Sequence, residues 1–290
     1  MEKLTRKKIR VSDCILLGLI YLSAGFSLML LVGIVAYVVY KGLGVVSWEF
    51  LTSVTSVLKG TVGILGNIIN TLYIIVLTLL IATPIGVGSA IYLNEYAKPG
   101  KLVKLIEFTT ETLAGIPSII FGLFGMMFFG ETLHLSYSIL TGSFTLTIMI
   151  LPLITRNTQE ALKTVPDSYR SGSLGMGATK WHMIRTVLLP SAMPGILTGI
   201  ILAIGRIVGE SAALLYTAGS GRGLPKAGLM GFFSKLTQSS GTLTIELYLQ
   251  MQDGKYDLAF GIACVLIVIV LFINFLAKLI AGRFDVNRKK

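Results

Sequence analysis

Residues 156–190 read RNTQEALKTVPDSYRSGSLGMGATKWHMIRTVLLP, a polar stretch between two long apolar runs, Ser138–Thr155 upstream and Ser191–Tyr216 downstream. That contrast makes the stretch a structured loop joining two membrane spans. Pro166 followed by Asp167 and Ser168 reads as a helix start, with a polar side chain available to cap the first N–H groups. Gly172, Gly175 and Gly177 weaken such a helix by about 1 kcal/mol each against Ala. A short glycine-rich helix is marginal alone in water, so this one is expected to persist by docking onto something. A second helical segment is expected after Gly177, with Thr179 as its cap. Trp181, Ile184 and Leu188 are spaced to share one face, as in a helix lying on a membrane surface.

Working outward, the rest of the chain agrees with a membrane protein. Only 13% of its 290 residues are charged and 53% are hydrophobic, against roughly 25% charged in soluble domains. Six apolar segments are long enough to span a bilayer: Cys14–Tyr40, Asn67–Glu95, Leu105–Gly130, Ser138–Thr155, Ser191–Tyr216 and Leu258–Ala281. The first exceeds the core of a signal peptide and is read as a retained span. The fold class is therefore an all-α polytopic membrane protein with six transmembrane helices. Of the 25 Lys and Arg, 18 fall in the termini and in the loops on their side, six on the other side, and Arg206 lies within a span. The side richer in positive charge is the cytoplasmic one. Both termini and the 156–190 loop are therefore expected in the cytoplasm. The net charge of +11 is spread along these loops, without aromatic-interleaved basic patches, so no nucleic-acid partner is expected. Cys14 and Cys264 lie far apart in sequence and read as small buried hydrophobes, with neither metal spacing nor disulfide.

Several polar residues interrupt the spans. Thr83-Pro84, Gly86 and Gly88 locally break the backbone ladder of the second span, as a kink or as a hinge. Glu107 and Glu111 stand four apart, and Lys101 and Lys104 nearby make an interfacial ion-pair cluster the favoured reading over a proton relay. Gly195 and Gly199, and again Gly205 and Gly209, form small-xxx-small pairs suited to close helix packing, within the chain or against a partner. Arg206 lies near the middle of the fifth span, where a charge costs about 2.5–3.5 kcal/mol and must face a cavity or a partner. Glu210 follows one turn on. The two form either a helix-orienting ion pair or part of an anion site, because a guanidinium fork matches phosphate oxygens and stays charged. Arg156, beyond Pro152, is a second candidate for the anion path, or snorkels to the interface.

These residues carry a resemblance to the permease subunits of bacterial ABC importers. The family's loop signature runs Glu-Ala-Ala, three residues, Gly, nine residues, then Ile-x-Leu-Pro. Its slots here are Ser171-Gly172-Ser173, Leu174 to Met176, Gly177, Ala178 to Thr186 and Val187-Leu188-Leu189-Pro190. Ser171 stands where the family has Glu, so no carboxylate is present there for a salt bridge. The segments Leu113–Gly125 and GRIVGESAALLYTAG, Gly205 to Gly219, resemble phosphate importer permeases, and the chain as a whole is most similar to those of the A type. The resemblance implies a type I ABC importer (MetI-like) permease fold in a prokaryotic plasma (inner) membrane. It divides the chain into a tail, first span and outer loop (1–66), a transport core (67–282) with its coupling loop at 156–190, and a basic tail (283–290). It implies that Tyr169, Arg170, Ser171, Gly172, Ser173, Leu174 and Gly177 form the helix that docks an ATPase, with Val187, Leu189 and Pro190 ending the loop. It implies that Arg206 lines the path of inorganic phosphate, with Glu210 holding it. Implied partners are a homologous C-type permease, an ATP-binding subunit dimer, an extracytoplasmic phosphate-binding protein and membrane lipid. The loop from Thr217 to Asp257, with GSGRG and a short helix in GLMGFFSKL, would help form the outer gate and the docking surface for the binding protein.

No pattern G-x-x-x-x-G-K-[ST], nucleophile elbow or H-E-x-x-H occurs, so the chain is expected to carry no ATPase site of its own, no cofactor and no metal. Two other readings fit the same residues. One is a permease for another anion or solute, such as sulfate or molybdate. The other is a proton-coupled secondary carrier with Glu107, Glu111 or Glu210 as relay.

Overall fold

The computed structural model describes residues 11–56 and 61–284. The basic residues Lys3 to Arg10, Lys59 and the tail from Asp285 lie outside them. Helix α1 (Val11–Gly42) runs alongside the last helix of the chain, and none of its apolar window is buried by the remaining chain. A short helix α2 (Trp48–Thr52), capped by Ser47 accepting from Phe50 N, leads into one antiparallel hairpin, β1 (Val54–Ser56) and β2 (Thr61–Ile64). That hairpin is the one departure from the all-helical expectation among the described residues.

The core begins with α3 (Leu65–Ile91), which continues across Pro84 and ends in a wide π-turn, Tyr92–Tyr96. Gly86 lets it lie directly on the next long helix. A Cβ there would come within 2.7 Å of Ile154 Cγ2.

The expected third span, Leu105–Gly130, is not one rod. Helix α4 (Lys101–Gly115) stops at Ile116, and α5 (Ser118–Gly125), prolonged by a π-turn to Thr132, leaves at 103° to it. The cause is Pro117. It drives Ile116 to an extended conformation (φ −73°, ψ 132°) and cannot continue a helix itself.

Helix α6 (Ile139–Lys163) starts under a Ser138 cap and runs eight residues beyond the expected end at Thr155. Its last two turns are amphipathic and bury Thr158, Ala161 and Leu162. The polar connection is thus shorter than 156–190. It holds α7 (Asp167–Gly175), whose first residue follows Pro166 with no side-chain cap, contrary to expectation.

Thr179 does cap the next segment, accepting from His182 N. That segment, α8 (Lys180–Met183), passes through a π-turn (Ile184–Leu188) straight into α9 (Leu189–Val208). Together they make a 29-residue helical rod, Lys180–Val208. The wide turn accommodates Pro190, which has no N–H to give and needs room for its ring. Ile184 and Leu188 are fully buried with Leu162, Val165, Met183 and Ile196, whereas Trp181 is exposed. The expected surface helix with all three on one face is therefore corrected: the rod begins eleven residues before Ser191.

The fifth span is broken at its other end. α9 stops at Val208, Gly209–Ser211 turn, and α10 (Ala212–Thr217) follows. The segment after it carries α11 (Leu229–Leu236) and α12 (Leu243–Gln252) before the last span, α13 (Tyr256–Phe284). Tyr37 of α1 meets Phe260 of α13 edge-on at 5.7 Å. The main core is formed by α3, α5, α6, α9, α10 and α12 around Ile74, Leu146, Ile150, Ala203, Leu214 and Ile245. Among the described residues five helices are long and apolar enough to cross a membrane, and the bent α4–α5 pair makes six.

Candidate functional site

Where α4, α5, α6 and α9 meet, they enclose a cavity of about 330 Å³. Most of its wall is apolar, from Leu113, Ile116, Phe121, Met149, Ile150 and Leu153, yet both Arg156 and Arg206 open onto it. The helices cross antiparallel at small residues. A Cβ on Gly199 would sit 2.7 Å from Asn157 Cβ, and one on Gly195 2.6 Å from Ala161 Cβ. That register puts Arg206 about six residues, roughly 9 Å, beyond Arg156 along the α6 axis. The two guanidiniums are therefore staggered along one cavity.

Their bonding is loose. Arg206 Nη2 lies 3.9 Å from Glu210 Oε2, and Arg156 lies 3.9 Å from Glu111 Oε1 and 3.5 Å from Glu160 Oε1. Among the described residues neither guanidinium makes a hydrogen bond to the protein, although each carries five N–H donors. Arg206 is 55% exposed, while Glu210 is 5% exposed. Glu210 is instead held by the backbone: Oε1 accepts from Ala213 N at 3.2 Å, and its carbonyl accepts from Thr244 Oγ1 at 2.8 Å. The carboxylate therefore stays put while the guanidinium beside it is free to turn. Because α9 ends at Val208, Arg206 occupies the last turn of a helix, where a cation is favoured by the backbone dipole, and not the middle of a continuous span.

A second, more polar cavity of about 260 Å³ adjoins the first through Thr110, Glu111 and Arg156 and is lined further by Glu107, Gln159, Glu160 and Lys163. The ion pair of Glu111 is thus with Arg156 across the cavity. The expected cluster with Lys101 and Lys104 gives way to it because the α4–α6 packing carries Glu111 toward α6.

The 167–190 region behaves differently. α7 buries none of its residues, and Tyr169, Leu174 and Met176 stand exposed beside a groove reaching His182 and Val187. Ser171 Oγ donates back to Asp167 O at 3.1 Å, Gly172 and Gly175 face open space, and Ser173 is half-buried in the groove wall. Gly177 turns the chain with φ +84°, a conformation L side chains rarely adopt. Leu189 and Pro190 are half-buried at the start of α9. Arg170 points the other way, into the protein. Its fork donates to Glu95, Asp167, Val165 O and Leu162 O.

Sequence reasoning passed over Glu95. Its signal was a carboxylate in the final turn of an apolar span. The second glycine pair also separates from the first: a Cβ on Gly205 meets nothing in this chain, and one on Gly209 meets only the Gly205 carbonyl at 3.4 Å.

Comparison with known proteins bears on the whole arrangement. Residues 82–289 match the family described as "Binding-protein-dependent transport system inner membrane component". The chain is 38% identical over 210 residues to a probable ABC transporter permease protein, YqgI, of Bacillus subtilis, covering 72% of this chain and 71% of that one. It is 35% identical over 210 residues to the phosphate transport system permease protein PstA of Pasteurella multocida, covering 72% and 74%. A chain of the bacterial alginate ABC transporter superposes with a TM-score of 0.69 over 95% of this chain and 96% of its own, at 15% identity. One of the inward-facing methionine transporter MetNI does so with a TM-score of 0.56, covering 77% and 94%, at 22% identity. At those identities the structural likeness is one of fold.

Proposed function

Since the chain belongs to the family of binding-protein-dependent transport system inner membrane components and is a permease subunit of an ABC importer in the inner membrane, we propose that its cargo is inorganic phosphate and that Arg206 and Arg156 form its path. The observation that carries this reading is the pair of staggered guanidiniums, with donors uncommitted to the protein, facing one apolar-walled cavity. A fork-shaped, permanently charged donor suits a tetrahedral oxyanion. The relatives named as phosphate permeases support the same cargo.

In this mechanism the chain is half of a permease pair with a homologous C-type subunit, served by an extracytoplasmic phosphate-binding protein and by an ATPase dimer that hydrolyses the ATP. Closure of the ATPase dimer displaces α7, and the permease halves rock between outward- and inward-facing states. Arg206 attracts the anion. Arg156, about 9 Å further along, takes it toward the polar cavity at Lys163. Glu210 and Glu111 stand beside the two arginines as built-in competitors, so the anion is held weakly enough to leave.

The test is phosphate uptake by cells carrying the complete importer, with Arg206→Gln against the parent and with membrane level and ATPase activity measured in the same samples. A hydrogen bond to a charged group is worth about 1.5–3 kcal/mol, so uptake is expected to fall about ten- to a hundredfold while assembly and ATPase survive. Undiminished uptake overturns the site. If the parent moves sulfate or molybdate and no phosphate, the cargo assignment fails and the permease assignment stands.

A further inference from the structure

The bond between α7 and the end of α3 is a single buried ion pair, Arg170 with Glu95. The Glu95 side chain is 6% exposed and that of Arg170 18%. Glu95 Oε1 accepts from Arg170 Nη2 at 3.1 Å, from Arg170 Nε at 3.3 Å and from Asn94 Nδ2 at 2.7 Å. Arg170 Nη1 donates to Val165 O at 2.8 Å and Asp167 Oδ1 at 3.0 Å, and Nη2 donates also to Leu162 O at 2.9 Å. These bonds occupy all five guanidinium donors, which a lysine, with its compact three-donor head, could not do. The partners fall into two groups. Leu162 ends α6, Val165 lies in the short link after it and Asp167 starts α7, so those bonds are close in sequence, and two of them satisfy carbonyls at or just past a helix end. Only the Glu95 bonds reach the end of α3, whereas the Leu162 bond ties α7 back to the adjacent end of α6.

Two further observations make this link more than a local cap. α7 has no fully buried residue, and its large apolar side chains Tyr169 and Leu174 are about half exposed, so apolar packing holds it only weakly to the body. Beyond the 176–179 turn, Lys180 Nζ donates to the Glu95 carbonyl and lies 5.0 Å above the Tyr96 ring. The π-turn at the end of α3 is therefore gripped from both sides of the coupling segment. At its other end, α3 holds the segment after α10. Asn67 and Asn70 donate to Gly241 O at 3.0 and 3.1 Å, Asn70 donates to Gly221 O at 3.1 Å, and Thr71 Oγ1 accepts from Leu243 N at 3.0 Å. α3 is a single helix of 27 residues, about 40 Å long.

We propose that Arg170 and Glu95 are positioning residues of transport: their buried pair passes displacement of α7 into α3, which carries it to the 221–243 segment at the far end. The proposal rests on the reading that α7 is where the ATPase docks.

The experiment uses the complete importer in proteoliposomes with ATP and inorganic phosphate, reading co-purified ATPase, ATP hydrolysis and phosphate moved per ATP. Glu95→Ala removes the side-chain link from α7 to α3 and leaves in place every local bond of Arg170 and the Lys180 bond to the residue 95 carbonyl. Bound ATPase and hydrolysis are expected at the parental level, with phosphate per ATP down roughly tenfold, within the usual range of coupling between two sites. Glu95→Gln is expected to fall between. Adding Arg170→Gln to Glu95→Ala should cost no further coupling, since both remove one linkage. Unchanged phosphate per ATP overturns the proposal. So does parallel loss of bound ATPase and uptake, which would make the pair a folding contact only. A second test leaves the pair itself intact: spin labels on Ser173→Cys and Lys98→Cys, in a chain with Cys14→Ser and Cys264→Ser, should keep one separation with and without ATP. A separation that changes with nucleotide overturns the rigid link. The docking reading fails separately: if Tyr169→Ala with Met176→Ser leaves the ATPase fully bound, α7 is not its dock, and the proposal falls with it.

Discussion

The arginines of this chain fall into two groups, distinguished by how their hydrogen-bond donors are satisfied. Arg170 spends every donor on the protein, and Arg222 Nε is committed to Glu246 Oε2 at 2.7 Å. Arg156 and Arg206 hold carboxylates no closer than 3.5 Å and line a cavity. Arg170 is thus fully satisfied by the protein, whereas Arg156 and Arg206 keep donors open at the cavity wall, as the proposed anion path requires. Lys235 is a residue of a third kind. It lies outside the membrane-spanning helices, is 1% exposed, and has Gly223 O at 2.7 Å as its partner. Burial holds its ammonium below the usual lysine pKa. The unfolded chain therefore binds this proton more tightly. Stability contributed at this site rises as pH climbs toward the ordinary lysine range and falls as pH drops below it. Lys235→Met removes the buried charge, and the exposed Gly223 can give its carbonyl to water. Thermal unfolding in detergent is expected to move up by roughly 2–4 °C at neutral pH and to lose part of its rise between neutral and alkaline pH. A lowered midpoint would show that the Gly223 bond outweighs desolvation.

At the scale of elements, the breaks matter more than the helices. Pro117 turns one span into a right-angled pair whose corner, Ile116, lines the cavity together with Glu111 before it and Phe121 after it. The stop at Val208 sets Arg206 at a helix end beside a fixed carboxylate. Glycine contacts set how close α9 comes to α6. Gly195→Ala and Gly199→Ala would place methyls 2.6 and 2.7 Å from Ala161 and Asn157 Cβ. Each is expected to destabilise by about 1–3 kcal/mol through overpacking and to disturb the register that brings both arginines to one cavity. Gly205→Ala meets open space in this chain, so it should leave the unfolding midpoint of the isolated subunit unchanged or slightly raised. Equal effects at Gly199 and Gly205, measured by thermal unfolding, would contradict the packing described.

At the scale of the whole molecule, the cavity, the exposed face of α7 and the segment after α10 are linked through two antiparallel rods, α3 and α9, and α6 between them. The loop charges lead to the expectation that the α7 end faces the cytoplasm. Ser173→Cys on α7 is expected to react with a membrane-impermeant maleimide only in inverted vesicles, and Asp253→Cys after α12 only from the outside of intact cells. The opposite pattern would invert the topology and leave α7 out of reach of any ATPase.

Much of this was legible in the chain itself. Apolar length and loop charge are local, additive properties, so composition alone determined a polytopic helical membrane protein. The Thr179 cap and the turn at Gly177 were readable for the same reason, since each depends on a few neighbouring residues. The candidate arginines stood out because a charge within an apolar run demands an explanation. Tertiary structure decided the rest. That Arg156 and Arg206 share one cavity depends on the α6–α9 register, which two glycines set through distant contacts, Gly199 with Asn157 and Gly195 with Ala161.

 Separations of 42 and 34 residues lie beyond the reach of any helical or strand periodicity. The Arg170–Glu95 pair joins residues 75 apart in the chain. The continuation of α9 back to Lys180 depended on Ile184 and Leu188 finding a buried site against α6, where packing overrode the polar look of the segment. Local propensity sees a few residues at a time, whereas a cavity wall and a buried ion pair exist only once distant segments have packed together.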